Sequence, residues 1–249
     1  MNRNPRIIAI ETSSRLGSVA VADGPNLLAE ESFTGDLRHG AELLVTMDRL
    51  CNCQGWKPTD IDHLYISAGP GSFTGIRIAV TVAKAFAFAH PGVRIVSVPS
   101  IGARALNAER AGREQGVDIK TVAVVLEAGR KQIFTAVFET VRPPAASEEF
   151  VPGLRTLIEQ TVMAPADLLA HTGRPLYLLG EGLDYHRDEL TADRVFWLDE
   201  SYWPGRAGYV LRCGYLRACA GLFAQPDELT PMYLRRPEAV EKWEQLHGP

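Results

Sequence analysis

The segment from Ser67 to Arg77 constrains the fold of this chain more than any other part of its sequence. It reads Ser-Ala-Gly-Pro-Gly-Ser-Phe-Thr-Gly-Ile-Arg and joins a β-like run at 63–67 to a helix-like run at 74–89. Its three glycines allow a close approach of the backbone to another group, and the helix N-terminus presents N–H groups. The pattern predicts a strand–loop–helix unit, and a phosphate cradle is one interpretation of its loop.

The standard phosphate and nucleophile motifs do not fit this loop. A P-loop ends in Gly-Lys-Ser/Thr, but Gly75 is followed by isoleucine and arginine. A dinucleotide-binding loop is one residue shorter and needs an acid at the end of the next strand, whereas the strand predicted at 94–98 has none. A nucleophile elbow needs glycine two residues on either side of its serine, and Ser72 has proline and threonine there.

The helix predicted over 74–89 is apolar around most of its circumference. Its only charged residues are Arg77 and Lys84, which lie seven positions apart and therefore on one face. Sixteen residues that include two charges are too few for a transmembrane span. An ordinary surface helix has one apolar stripe, so this helix should be covered on two sides. Either both covers belong to its own domain, or one of them is a partner chain.

The partner-chain alternative assigns the two sides of this helix. Ala79, Ala83 and Ala87 recur every four residues and form an alanine ridge, which would let a helix of another chain approach closely. The bulkier side, with Ile78, Val82 and Phe86, would pack on the domain's own sheet. The expected partner or dimer interface, of about 1,600 Å² in total, comprises Arg38, His39, Glu42, Met47, Ser72, Phe73, Ile76, Arg77, Ala79, Val80, Ala83 and Ala87.

The composition describes an ordinary soluble globular protein. Of 249 residues, 46% are hydrophobic and 22% charged, which suffices for one large or two modest domains. The net charge of −4 makes the isolated chain a poor candidate to bind nucleic acid. The four cysteines show neither Cys-x-x-Cys spacing nor a disulfide framework. The first apolar run is cut short by Glu11, so we expect no signal peptide and a cytoplasmic location without a membrane anchor.

The order of predicted elements indicates an α/β fold built from two similar halves. The first half reads β-β-β-α-β-α-β-α, with elements at 6–12, 18–22, 26–34, 37–52, 63–67, 74–89, 94–98 and 100–110. The second half starts in the same way but is trimmed, with elements at 121–127, 132–140, 165–171, 176–179, 195–198 and 206–223, and an exposed loop at 142–153. We expect a first subdomain at 1–110, a second at 111–205, a helix near 206–224 that packs back on the first, and a tail at 225–249.

Several short motifs together resemble the bacterial TsaB family. They are Ile10-Glu11-Thr12-Ser13, the Gly17-Ser18-Val19-Ala20 hairpin and the glycine loop, with Arg38-His39, Glu42-Leu43-Leu44, Gly180-Glu181-Gly182 and Pro231-Met232-Tyr233-Leu234-Arg235 as further matches. The resemblance is strong over residues 6–106 and thin over 140–230. That family supplies the dimerisation subunit of the machinery that makes threonylcarbamoyladenosine at position 37 of tRNA.

The resemblance implies an actin-like (ribonuclease-H-like) fold of the actin, sugar-kinase and chaperone-ATPase superfamily, in which the first hairpin handles phosphate and an aspartate orders Mg²⁺ water. Here Glu11 and Glu127 stand where the family has aspartate, and each carboxylate lies one methylene further out. We therefore expect at most a vestigial nucleotide site of Glu11, Thr12, Ser13 and Glu127. The alternative is that Glu11 caps its hairpin through backbone hydrogen bonds.

The histidines bear on catalysis because the related TsaD family carries a His-x-x-x-His metal pair. No two of the six histidines are four residues apart, and His-Glu-x-x-His is also absent. His39 and Glu42 share a helical face but supply at most two ligands. We expect no metal site, no catalytic residue and no tightly bound cofactor, with ATP or ADP and Mg²⁺ binding only in an assembled complex.

Three functions are compatible with these patterns. The resemblance favours a non-catalytic partner of a TsaD-like catalytic subunit and a TsaE-like ATPase, homodimeric when alone and in contact with tRNA only through the complex. A small ATP-dependent kinase of the same superfamily is the second, although it needs a complete adenosine pocket in the trimmed half. A self-associating protein without nucleotide chemistry is the third.

Overall fold

The computed structural model describes residues 3–34, 39–141, 151–232 and 243, which contain two five-stranded sheets. The first sheet has the order β3-β2-β1-β4-β5. β2 runs antiparallel to β1 and β3, whereas β4 and β5 run parallel to β1. Its strands are β1 (Arg6–Glu11), β2 (Leu16–Asp23), β3 (Asn26–Thr34), β4 (His63–Gly69) and β5 (Arg94–Pro99).

Four helices follow the strands of the first sheet: α1 (His39–Cys53), α2 (Phe73–Ala89), α3 (Ser100–Ala105) and α4 (Asn107–Gln115). α1 and α2 cover one face of the sheet and share a core with Ile8 and Ile10 of β1. The alternate residues Ile7 and Ala9 face the opposite core. β1 therefore reads as a continuous apolar run because helices cover both faces of its sheet.

The second sheet repeats the strand order of the first, as β10-β9-β6-β7-β8. Its strands are β6 (Thr121–Gly129), β7 (Gln132–Thr140), β8 (Leu154–Met163), β9 (Leu176–Leu179) and β10 (Val195–Trp197). α5 (Pro165–His171) precedes β9, and α6 (Ala207–Cys219) follows β10. Between β9 and β10 the described chain forms only a 3-10 helix at Glu181–Asp184. The duplicated α/β fold with a trimmed second half is confirmed.

α3 and α6 both contribute buried residues to the core that the two halves share. α3 contacts strands of both sheets, and α6 packs on the face of the first sheet opposite α1 and α2. The predicted hairpin of the second half is present, with Arg130 and Lys131 at φ of 54° and 58° as its two-residue turn. Positive φ at both central positions is the conformation of a type I′ turn, one of the two turns favoured in two-residue hairpins.

Two elements differ in kind from the predicted ones. The helix expected over 100–110 is two helices, α3 and α4, and the second continues to Gln115 before Gly116 ends it at φ 67°. β8 was not predicted as a strand. Residues 142–150 of the expected loop lie outside the described residues, and the strand begins at Leu154.

The start of the predicted tail packs against the first subdomain. The Ala224 N–H donates to the Ile95 carbonyl at 2.8 Å, and the Met232 N–H donates to the Ala68 carbonyl at 2.7 Å. Leu229 between them is buried in the core of α1, α2 and the first sheet. Among the described residues, every helix is too short or too polar to cross a membrane.

Candidate functional site

The alanine ridge of α2 faces the chain's own sheet. Ala79 and Ala83 are fully buried, and Ala87 is 6% exposed. They belong to the core between α1, α2 and the first sheet, together with Ile76, Val80 and Met47. The predicted orientation, with this ridge towards another chain, is therefore wrong. The small side chains let α2 lie close to its own sheet. Six residues of the predicted interface are therefore interior: Met47, Ile76, Ala79, Val80, Ala83 and Ala87.

A different stripe of α2 faces outward. Phe73 is 45% exposed and Phe88 is 90% exposed, with Arg77 between them on the same side. The Arg77 guanidinium carbon lies 3.6 Å from the centroid of the Phe73 ring. α1 packs against α2 and exposes two further apolar side chains. We call this surface the outer helical face; it comprises Leu44, Val45, Phe73, Arg77, Thr81, Ala85 and Phe88.

The remaining predicted interface residues divide into two groups. Ser72, Phe73 and Arg77 are exposed, and Glu42 is half-buried. Arg38 and the side chain of His39 lie outside the described residues. Phe88 was absent from the predicted interface, although a second phenylalanine two positions after Phe86 on one helix must point to another side.

Glu11 and Glu127 make the same local hydrogen bond at the ends of their strands. Glu11 Oε1 accepts from the Ser13 N–H at 2.5 Å, and Glu127 Oε1 accepts from the Gly129 N–H at 2.7 Å. Both bonds run from a glutamate to the amide two residues on, at equivalent places in the two duplicated halves. The alternative in which Glu11 caps its hairpin is confirmed.

The glycine loop packs directly on that hairpin. Thr12 Oγ1 donates to the Gly75 carbonyl at 2.7 Å, and the Ser72 N–H donates to the Ser13 carbonyl at 2.8 Å. A Cβ at Gly75 would lie 1.8 Å from the Thr12 carbonyl oxygen, and one at Gly71 would lie 2.3 Å from that of Ser13. Glycine is needed because two backbone segments touch here. The group that the loop approaches is therefore the chain's own hairpin.

One amide at the N-terminus of α2 is also satisfied internally. The hydroxyl of Ser72 is the N-cap and accepts from the Gly75 N–H at 3.2 Å. Such a cap satisfies one of the amides that would otherwise be available to an anion.

The opposite side of the hairpin is filled as well. A Cβ at Gly205 would lie 2.6 Å from Glu11 Cδ, and the Gly205 N–H donates to Ser14 Oγ at 3.3 Å. Glu11, Thr12, Ser13 and Ser14 are between 0% and 3% exposed. Glu11 Oε2 has no hydrogen-bond partner among the described residues, but Gly205 lies against it. The residues at this hairpin therefore do not fit a phosphate or a hydrated Mg²⁺, because protein backbone fills the space on both sides.

Glu127 in the second half is engaged by a histidine. His186 is 5% exposed; its Nε2 lies 2.8 Å from Glu127 Oε2, and its Nδ1 lies 3.3 Å from Glu189 Oε1. No group of three or more His, Cys, Asp or Glu side chains that could hold a metal occurs within the described ranges.

Arg104 of α3 is a buried charge that sequence reasoning missed. Its side chain is 1% exposed, and it donates to the Ser13 carbonyl at 2.7 Å, to Ser13 Oγ at 3.1 Å and to the Glu181 carboxylate. The one signal in the sequence is an arginine within the otherwise small and apolar run Ser-Ile-Gly-Ala-Arg-Ala. Arg104 therefore joins the hairpin of the first subdomain to the loop after β9 of the second.

Comparisons with known proteins place this geometry in a family. The model of the family described as "TsaD: tRNA N6-adenosine threonylcarbamoyltransferase" matches residues 34–177, more than half of the chain. The tRNA threonylcarbamoyladenosine biosynthesis protein TsaB of Bacillus subtilis (strain 168) is 25% identical over 241 residues, which cover 95% of this chain and 97% of that protein.

A second relative is a longer enzyme. The tRNA N6-adenosine threonylcarbamoyltransferase of Bacillus thuringiensis (strain Al Hakam) is 29% identical over 200 residues, which cover 70% of this chain. The matched part spans 57% of the length of that enzyme.

The fold matches two solved structures from Pseudomonas aeruginosa. One is an uncharacterized protein with similarity to the peptidase YeaZ, at a TM-score of 0.73 and 24% identity over 93% of this chain and 100% of that chain. The other is YeaZ, at a TM-score of 0.72 and 24% identity over 92% of this chain and 99% of that chain. The chain therefore belongs to the TsaD family that the matching model describes, and it is similar to B. subtilis TsaB along almost its whole length.

Proposed function

We propose that this chain is a non-catalytic scaffold subunit. With a TsaD-like catalytic subunit and a TsaE-like ATPase, it would be required to transfer the threonylcarbamoyl group to N6 of adenosine 37 in tRNAs that read codons beginning with adenine. Membership of the family, and the match to B. subtilis TsaB along almost the whole chain, support a role in the biosynthesis of tRNA threonylcarbamoyladenosine.

The observation that carries the non-catalytic role is the filled hairpin after β1. Residues Glu11 to Ser14 are buried under the glycine loop on one side and Gly205 on the other. A kinase of this superfamily needs that space for phosphate and hydrated Mg²⁺, so the filled hairpin argues against the kinase alternative. We expect ATP, ADP and Mg²⁺ to bind only where the assembled complex supplies the site.

We propose that the outer helical face receives the TsaD-like subunit. Large apolar side chains exposed on two helices that pack together mark a docking site rather than an ordinary solvated surface, and Phe88 is the most exposed large hydrophobic side chain within the described residues. The TsaD family model matches residues 34–177, which include α1 and α2, so a TsaD-like subunit would present equivalent helices. A second copy of this chain would occupy the same surface when the partner is absent.

Reconstitution with the other two subunits tests the function. The chain, the TsaD-like and TsaE-like proteins of the same organism, tRNA, ATP, Mg²⁺ and threonylcarbamoyl-adenylate are combined, and the modified adenosine is quantified by mass spectrometry. We expect product only when all three proteins are present. Turnover by this chain alone, or full turnover without it, would contradict the proposal.

A substitution in the outer helical face tests whether formation of the modified adenosine depends on docking of the TsaD-like subunit there. Phe88→Ser removes a large anchor and should weaken affinity for the TsaD-like subunit by about 2 kcal/mol, roughly thirtyfold, with a matching loss of turnover at limiting subunit concentration. Phe196→Ser is the matched control, since Phe196 is also exposed, at 46%, but lies on β10 of the other sheet. Equal losses in both variants would place the docking surface elsewhere.

A further inference from the structure

A largely buried ion pair joins the two subdomains. Arg104 belongs to α3, Ser13 to the hairpin of the first sheet, and Glu181 to the loop that follows β9 of the second sheet. The guanidinium donates to both oxygens of Ser13 and to the Glu181 carboxylate. One side chain thus bonds to both halves of the duplicated fold.

The surroundings of Arg104 make this contact strong and specific. Its side chain is 1% exposed, whereas that of Glu181 is 24% exposed, so the carboxylate closes the outer end of the site. The fork of a guanidinium can bond two acceptors at fixed angles, which a lysine ammonium does not reproduce. Removing one partner of a buried ion pair leaves an uncompensated charge, so each partner depends on the other.

The Ser13 carbonyl is the common point of three segments. It accepts from Arg104 and also from the Ser72 N–H of the glycine loop, at 2.7 Å and 2.8 Å. Ser100, in the first turn of α3, in turn donates its hydroxyl to the Pro70 carbonyl of that loop. α3, the glycine loop and the hairpin are therefore held as one unit, and Glu181 adds a charged contact from the second subdomain to the packing of α3 on β6 and β7.

We propose that the Arg104–Glu181 pair is an internal clamp that holds the two subdomains closed without nucleotide. The first subdomain contributes the cation, which also bonds to the hairpin after β1, and the second subdomain contributes the anion. The subdomain angle is then set by the chain itself and does not respond to ATP or ADP. The outer helical face is presented in one fixed geometry whether or not nucleotide is present.

A double-mutant cycle measures the clamp. Unfolding equilibria are determined in urea for Arg104→Met, Glu181→Gln and the double variant of the full chain. If the two residues form a clamp, the loss of stability in the double variant should be smaller than the sum of the losses in the two single variants. We expect this difference to be at least about fivefold in the unfolding equilibrium constant. The exposed pair Arg212–Glu109, with side chains 38% and 49% exposed, is the control and should show less than about threefold coupling. Equal coupling in both pairs would overturn the proposal.

A distance measurement separates a clamp from an ordinary buried contact, and the only clamp variant it needs is the conservative Glu181→Gln. Cys53 is exposed on the first subdomain, Glu159 is exposed on β8, and the buried Cys51 and Cys213 should stay unlabelled. Spin labels at Cys53 and at Glu159→Cys, in a Cys219→Ser background, report the distance between subdomains. We expect one narrow distribution that saturating ATP or ADP with Mg²⁺ leaves unchanged, and a broader one in Glu181→Gln. A distribution that narrows with nucleotide, or that Glu181→Gln does not broaden, would refute the clamp.

Discussion

At the residue scale, the contact between the glycine loop and the first hairpin is a close approach of two backbones. Gly75→Ala would place a methyl 1.8 Å from the Thr12 carbonyl oxygen, so one segment must move away. We expect a loss of about 3 kcal/mol or more in the free energy of unfolding, measured in urea. Gly92→Ala is the control, because a Cβ there meets nothing within 4 Å, and it should change stability by less than about 0.5 kcal/mol. Similar effects of the two substitutions would contradict the packing described.

The cysteines give a second test at this scale. Burial raises the pKa of the Cys51 thiol to about 11 and that of Cys213 to about 12, so both remain protonated and shielded at pH 8. Cys53 and Cys219 are exposed. We expect a thiol reagent at pH 8 to modify Cys53 and Cys219 rapidly in the native chain, and all four cysteines only after unfolding. Rapid modification of Cys213 in the folded chain would show that α6 does not pack as described.

Sequence reasoning reached part of this residue-scale detail. It identified Glu11 as a possible hairpin cap because a glutamate ends an apolar strand before Thr-Ser. It left the target of the glycine loop open, since Thr12 and Gly75 are 63 positions apart and only the fold brings them together. Arg104 was missed for the same reason, because its partners come from two distant loops.

At the element scale, α2 shows what the hydrophobic periodicity of a helix can and cannot predict. Both sides are apolar, so the hydrophobic pattern predicted correctly that the helix has little polar surface. Periodicity could not decide which apolar side meets the sheet. The small residues face inward because they allow the helix to approach closely, and Phe88 is left outside. β8 was overlooked because most of its residues are exposed or half-buried on an edge of the sheet, without a buried run.

This orientation gives an element-scale prediction with a neighbouring control. Ala83 is fully buried, so Ala83→Glu places an unpaired charge in the core and should cost about 3–5 kcal/mol, which is visible as a loss of folded protein by circular dichroism. Ala85, two positions on, is exposed, so Ala85→Glu should remain folded and weaken binding of the partner subunit. A stable Ala83→Glu variant that loses partner binding would instead support the orientation in which the alanine ridge faces another chain.

At the scale of the whole molecule, the duplicated strand order was readable from the sequence because each half begins with the same succession of strands. The packing of α6 on the first sheet depends on contacts with all five of its strands, which no local pattern shows. The net charge also acts at this scale. With a net charge of −4, the isolated chain should bind tRNA more weakly than about 10 µM at physiological salt, because affinity comes largely from released counterions. Tight, salt-sensitive binding in an anisotropy titration would contradict this.

The central claim is that this chain works as a scaffold through its outer helical face. The most direct measurement is affinity purification of the tagged chain from its native host, with quantitative mass spectrometry of the recovered proteins. We predict that the TsaD-like subunit is recovered at close to one copy per copy of the chain, that Phe88→Ser removes most of it, and that Phe196→Ser does not. Recovery of the chain without a TsaD-like subunit, or undiminished recovery with Phe88→Ser, would contradict the account.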